Sequence, residues 1–326
     1  LSVHDSELDL DDLVLTAGSN QLLHLLAECL CNPGDVVLCA APSYLVFLGT
    51  LLNLEAQPFG VAVDSQGMIP EALEEALTYF ERRGELERVK AVYLASYFDN
   101  PAGVTMPLAR KGEILEVVRR WSSRQHIYLI EDAAYRQLRY TSDDIPSLRK
   151  LDPRGEHVVV AETFSKSFSP GIRVGWGILP GELVAPVCDL KGNIDFGSPN
   201  FSQHLMAEVL DLGLFEPHVE QLRATYRLKM EAMLAAAEEH LRGLPGVSWE
   251  PPTGGLYLWL RLPEGCDAGP AGRLFDLAVK EGMFYVPGQF CYPSAGEAVR
   301  PNTLRLSFGV QSCERIAEGI AALARA

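Results

Sequence analysis

Short apolar runs alternate with segments whose apolar residues recur every three to four positions. From Leu13 the order Leu-Val-Leu-Thr-Ala-Gly18-Ser-Asn-Gln21 predicts a strand, a glycine turn and an amphipathic helix. Leu22, Leu23, Leu25, Leu26 and Leu30 fall on the inward face of that helix. Further buried strands are expected over 36–40, 90–95, 126–130, 157–161 and 174–179, and helices over 70–83 and 107–124. Strands that alternate with helices in this way specify an α/β fold with a mostly parallel sheet flanked by helices. Ligands of such sheets gather at the carboxyl ends of the strands. Beyond that region a long helical pattern over 216–242 bridges to a smaller C-terminal α+β unit, with its clearest strands over 255–260 and 304–308. A boundary near 215/216 is therefore expected, with a large domain over 1–215 and a small one over 216–326.

Length and composition narrow the class. The 326 residues suffice for one large and one smaller domain, and 48% of them are apolar, so a packed core is expected and disorder is not. A formal net charge of −15 argues against a nucleic-acid surface and for a protein of the cytoplasm. The seven cysteines have no C-x-x-C spacing, and the histidines form no H-E-x-x-H, so neither a disulfide framework nor a metal is expected. His24 reads as a core or surface histidine. No apolar run reaches membrane-spanning length.

Candidate chemistry centres on Thr163-Phe-Ser-Lys166-Ser-Phe-Ser-Pro-Gly-Ile-Arg173-Val-Gly-Trp176. The segment joins two apolar runs, which puts Lys166 in a short loop at a strand end. An amine held among apolar neighbours near a second cation loses proton affinity and can form a Schiff base with a carbonyl. Arg173 is the neighbouring cation, and the hydroxyls of Thr163, Ser165, Ser167 and Ser169 help it hold an anion. A lone lysine in a polar turn would be read as surface.

The wording FSKSFSPGIRVGW resembles the lysine loop of the class I and II aminotransferases of fold type I. Within them it is most similar to the 2-aminoadipate, kynurenine and aromatic aminotransferase branch. The resemblance implies pyridoxal 5′-phosphate as cofactor, carried covalently by Lys166. It gives roles to segments that are weak signals alone. Ser19 and Asn20, an ordinary helix start, match the segment that cradles the cofactor phosphate. Tyr44, otherwise a packing tyrosine, matches the aromatic that stacks on the pyridine ring. Asn100, before Pro101, matches the asparagine that bonds the phenolic oxygen; Ala102 departs from the family wording there. Asp132 matches the carboxylate opposite the ring nitrogen, where a firmly ionised group keeps that nitrogen protonated. Tyr135 matches the second donor to the phenolic oxygen, and Thr163, Ser165 and Arg173 match phosphate-binding positions. Arg305, set between Leu304 and Leu306, matches the arginine that grips the substrate α-carboxylate, where a surface salt bridge is the plainer alternative. Asn100 is a second substrate contact. Glu131 alternates to the other face of its strand and is not expected to be catalytic. Leu256, Tyr257 and Phe290 suggest an apolar or aromatic wall for the substrate side chain.

The function implied is an aminotransferase of amino-acid metabolism, moving an amino group between an L-amino acid and a 2-oxo acid by a ping-pong route. The Gly197-Ser-Pro-Asn200 segment matches a region that approaches the partner's cofactor, which points to a homodimer; an ordinary Ser-Pro helix start is an equal reading of the same residues. A β-lyase on the same cofactor would need the same electron sink. The sensor domain of a winged-helix transcription regulator is a third reading; such domains usually carry an aromatic at Asn100 and D-D-Y-D at 132–135, and both positions side with the enzyme. The N-terminal arm expected before Leu13 is not found in the sequence.

Overall fold

The computed structural model describes residues 10–141 and 143–326. In chain order, β1 (Leu13–Thr16) leads to α1 (Ser19–Leu30), β2 (Val36–Ala41) to α2 (Leu45–Asn53), and β3 (Gln57–Asp64) with β4 (Gly67–Met68) to α3 (Pro70–Arg82). β5 (Val89–Ala95), α4 (Leu108–Ser122), β6 (Tyr128–Asp132), β7 (Val158–Thr163), α5 (Phe164–Ser167) and β8 (Gly175–Ile178) follow. Then come α6 (Gly181–Asp195), α7 (Asn200–Asp211) and the long α8 (Phe215–His240). The remainder is β9 (Ser248–Trp249), β10 (Tyr257–Arg261), α9 (Arg273–Lys280), β11 (Val286–Pro287), β12 (Ala295–Gly296), β13 (Thr303–Ser307) and α10 (Cys313–Arg325).

The larger sheet has nine strands in the order β1-β8-β7-β6-β5-β2-β3-β12, with β4 paired to β3. β7, β6, β5, β2, β3 and β12 run parallel; β8 is antiparallel to both β7 and β1. The sheet is thus mixed at one edge, and the 295–296 segment closes the other. Apolar runs gave the strands but carry no sign of direction, so these two features lay beyond the sequence.

Each central strand is apolar on both faces because helices cover both. Val36, Leu38 and Ala40 of β2 pack with Leu73, Leu77 and Phe80 of α3 and Ile114 and Val118 of α4. Val37 and Cys39, one residue out of step, face Leu22 and Leu26 of α1, Phe47 and Leu51 of α2 and Leu183 of α6. The four inward leucines at 22, 23, 25 and 26 are essentially fully buried, each contributing about 1.5–3 kcal/mol of burial. Leu30 is only half-buried. The second sheet, β11-β13-β10-β9, is antiparallel, and Leu258, Leu260, Leu304 and Leu306 on its inner face share a core with Met230, Met233 and Ala237 of α8 and Ile316 and Ile320 of α10.

Strand register brings the key loops together. Ala95, Asp132 and Ala161 stand side by side on β5, β6 and β7, while Thr163, Gly175 and Thr16 do so on β7, β8 and β1. The segments after these positions carry Asn100, Tyr135, Lys166 and the start of α1, all at one edge of the sheet.

Candidate active site

Ser19, Asn20, Tyr44, Asn100, Asp132, Tyr135, Thr163, Ser165, Lys166 and Arg173 all line one cleft of about 630 Å3, part of it open to solvent. Ala95, Ala134 and Pro170 complete its wall. Arg305 lies just beyond, its Nη1 donating to Asn100 Oδ1 at 2.6 Å.

Lys166 sits in a single helical turn, α5, within the short connection expected at the strand end. The turn forms because Thr163 caps it: its Oγ1 accepts from the Ser165 amide at 3.1 Å and donates toward Ser165 Oγ at 2.9 Å. Phe164 N–H bonds to Val174 O at 3.0 Å and fastens the turn to the returning strand.

Opposite it, α1 starts after Gly18, whose φ of 91° excludes most side chains and whose position offers no side-chain cap. The first amides of α1 are left to bind an anion. Arg173, itself left-handed at φ 52°, folds back so that Nη2 donates to Ala17 O at 2.7 Å and Nη1 to Ser165 Oγ at 3.2 Å. Gly175 is needed beneath: a Cβ there would come within 2.7 Å of Gly18 C and Ser19 N. A guanidinium, two hydroxyls and a helix start therefore converge where a phosphate would sit.

Asp132 is buried at the end of β6 and takes Tyr93 Oη–H at 2.9 Å and the Ala134 amide at 3.1 Å. Burial pushes its carboxyl above the usual range, while the Ala134 and Tyr93 donors and the Lys166 ammonium pull it down. A cation beside it adds to the second effect and favours the ionised form.

Tyr135 is buried and its hydroxyl is held well above the usual phenol range, first by burial and then by Tyr257, so it stays a donor. Because Asn100 Oδ1 is engaged by Arg305, its NH2 group is the part left to point into the cleft. Tyr44 starts α2, with its hydroxyl on Asn20 Oδ1 at 3.3 Å. The Arg305 Nε is buried with no hydrogen-bond partner among the described residues, a donor that suits an incoming carboxylate.

Glu131 faces away, wholly buried against Lys111 at 2.8 Å. His24 lies at the surface beside Glu28. Of the residues suggested for a side-chain wall, Leu256 packs on the main core, Phe290 is half-exposed, and Tyr257 meets Tyr135. Sequence reasoning missed Tyr93 as the clamp on Asp132 and Tyr257 as the partner of Tyr135. Their only signal was inward register on strands far away in sequence. Among the described residues no helix is long and apolar enough to cross a membrane.

The donor set matches a phosphorylated pyridine aldehyde: an anion cradle at one end, a carboxylate for a ring nitrogen, two donors for a phenolic oxygen, an aromatic face and one amine. The family model for aminotransferase class I and II matches residues 4–323. The chain is 34% identical over 313 residues to aromatic-amino-acid aminotransferase 1 of Thermococcus litoralis, covering 96% of this chain and 72% of that protein. It is 32% identical to the 2-aminoadipate transaminase of Thermus thermophilus, covering 97% and 75%. A crystal structure of Pyrococcus horikoshii kynurenine aminotransferase, in complex with PMP, superposes with a TM-score of 0.90 at 34% identity, covering 98% of this chain and 75% of that one. A match along almost the whole chain, on a fold that carries the lysine turn, the buried aspartate and the anion cradle at one sheet edge, means that the chain belongs to the class I and II aminotransferases, pyridoxal-phosphate-dependent enzymes of fold type I.

Proposed function

We propose that the cleft carries out transamination between an L-amino acid and a 2-oxo acid in two half-reactions, with each residue in the role that its neighbours suit it for. Pyridoxal phosphate, when bound, supplies an aldehyde that takes up amines and a ring that accepts the electron pair left at the substrate α-carbon. The observation that carries the reading is the shared lining of one cleft by Lys166, Asp132 and the Ser165–Arg173 cradle.

Lys166 Nζ is the covalent attachment point. With its amine free, it would take the substrate α-proton and return it on the other side of the transfer. Asp132, clamped by Tyr93, keeps the ring nitrogen cationic. Tyr135 and the Asn100 amide donate to the phenolic oxygen. Ser19, Asn20, Thr163, Ser165 and Arg173 hold the phosphate, and Tyr44 covers the ring. Arg305 grips the α-carboxylate with donors that Asn100 does not use up.

The molecule works as a cytoplasmic homodimer, with a large domain over 1–215 and a small one over 216–326. Support for the dimer comes from apolar side chains beside the cleft: Phe196 is fully exposed and Phe201 81% exposed. Ser198 Oγ donates to Leu15 O at 3.3 Å, and Gln21 Nε2 to Asp195 Oδ2 at 2.8 Å, so this segment lies against the β1–α1 corner that starts the anion cradle.

The test is a half-reaction. Cofactor-loaded protein given an L-amino acid without any 2-oxo acid should release no more than one equivalent of the matching 2-oxo acid, with no ammonia. Continuous release of pyruvate and ammonia would instead assign a β-lyase. No product from any amino acid would remove the enzymatic reading.

A further inference from the structure

Tyr257, on β10, joins the two ends of the site. Its hydroxyl lies 3.0 Å from the Tyr135 hydroxyl, with the two rings edge to face at 5.8 Å. The Arg305 guanidinium lies 4.3 Å from the centre of its ring, and Lys166 Nζ lies 5.6 Å from the centre of the Tyr135 ring. Lys166, Tyr135, Tyr257 and Arg305 thus form one continuous chain of contacts from the reactive amine to the carboxylate grip.

A pair of phenols has two protons and one shared contact, so direction matters. If Tyr135 donated to Tyr257, its proton would be spent inside the protein and its oxygen could not serve as a donor in the cleft. If Tyr257 donates, the Tyr135 proton is free to point into the cleft. Both rings have a cation over them, but Arg305 is closer to the Tyr257 ring, at 4.3 Å, than Lys166 is to the Tyr135 ring, at 5.6 Å; the Tyr257 hydroxyl is thus the better donor, which selects the second arrangement. Tyr135 sits on the far side of the pair, beneath the Lys166 amine.

We propose that Tyr257 is a positioning residue that donates to Tyr135 and so turns the Tyr135 proton toward the cofactor's phenolic oxygen, with Arg305 setting the direction of the pair. The proposal rests on the transaminase reading of the cleft and adds a residue to it. The charged and titratable groups facing the pair are Tyr44, Asp132, Lys166 and Arg305, and all four are kept in the test. A donor to the phenolic oxygen draws off its negative charge, so that oxygen holds the proton of a nitrogen beside it less tightly and the proton is lost at lower pH.

The experiment follows the visible absorption of cofactor-loaded protein against pH, without substrate. Tyr257→Phe, which removes one oxygen and keeps the ring under Arg305, should move the spectral transition upward by roughly 0.4–1 pH unit. Tyr135→Phe should move it further, and Tyr135→Phe with Tyr257→Phe should move it no further than Tyr135→Phe alone, since Tyr257 acts only through Tyr135. A transition unmoved by Tyr257→Phe, or shifts that add in the double variant, would overturn the proposal while leaving the transaminase reading intact. Unchanged protein that shows no cofactor absorption at all would overturn that reading and the proposal with it.

Discussion

Asp99 and Asn100 are neighbours at the end of β5 with opposite duties. Asn100 turns to the cleft and Arg305, whereas Asp99 turns inward to the backbone amides of Val104, Ala102 and Gly103. Burial holds the Asp99 carboxyl up to about 7, against those amides, which pull it down. The folded protein therefore keeps a proton that the unfolded chain gives up near its ordinary value of about 4. Between those two values the folded state binds more protons than the unfolded one, so this group takes stability away as the pH rises. Asp99→Asn retains an acceptor for the amides and removes the titration. It is expected to melt roughly 3 °C or more above the unchanged protein at pH 8 and by a clearly smaller margin at pH 5, the gap closing only below about pH 4. A difference that is the same at both pH values would show that Asp99 is charged throughout.

Among the elements, β6 shows how strand alternation divides labour. Asp132 looks into the cleft, and Glu131 looks the other way into a closed cluster. Glu131 accepts from Lys111 Nζ at 2.8 Å, Ser96 Oγ at 2.5 Å and the Leu148 amide at 2.7 Å, and Lys111 also donates to Pro146 O and lies over the Tyr97 ring. With both charges wholly buried, removing one leaves the other uncompensated. Lys111→Met should cost about 3–5 kcal/mol in denaturant unfolding, and adding Glu131→Gln should return part of that loss. An equal loss in single and double variants would mean that packing, not charge, sets the cost. Period-two reasoning was enough to turn Glu131 away from the cleft, but its partner on α4 lies 20 residues upstream and had no local signal. The helical turn at Lys166 was hidden for a different reason. Ser, Pro and Gly in the segment favour turns, and the Thr163 cap that builds the turn depends on a hydroxyl geometry that spacing does not specify. Legible elements were those written in contiguous residues: the strands, the helix at Ser19, the aspartate at a strand end. Tyr93 and Tyr257 were illegible because register, set by pairing across the sheets, brings them to the site.

At the scale of the molecule, two sheets share one continuous core, and the cleft draws its residues from the edge of the larger sheet while Arg305, bonded to Asn100 beside it, comes from the smaller. Neither sheet holds a complete site. The proposed homodimer would extend this logic to a second copy of the chain through exposed Phe196 and Phe201. Phe196→Asp with Phe201→Asp should convert the species seen by sedimentation from dimer to monomer and weaken cofactor binding at least tenfold, roughly the effect of one lost charge-assisted contact. An unchanged mass in the double variant would place the interface elsewhere. All of these relations converge on one nitrogen. Lys166→Ala, given pyridoxal phosphate alongside the unchanged protein, is the most direct test: the account predicts that the covalently bound cofactor's visible absorption and transamination both disappear, and turnover retained by that variant would contradict it.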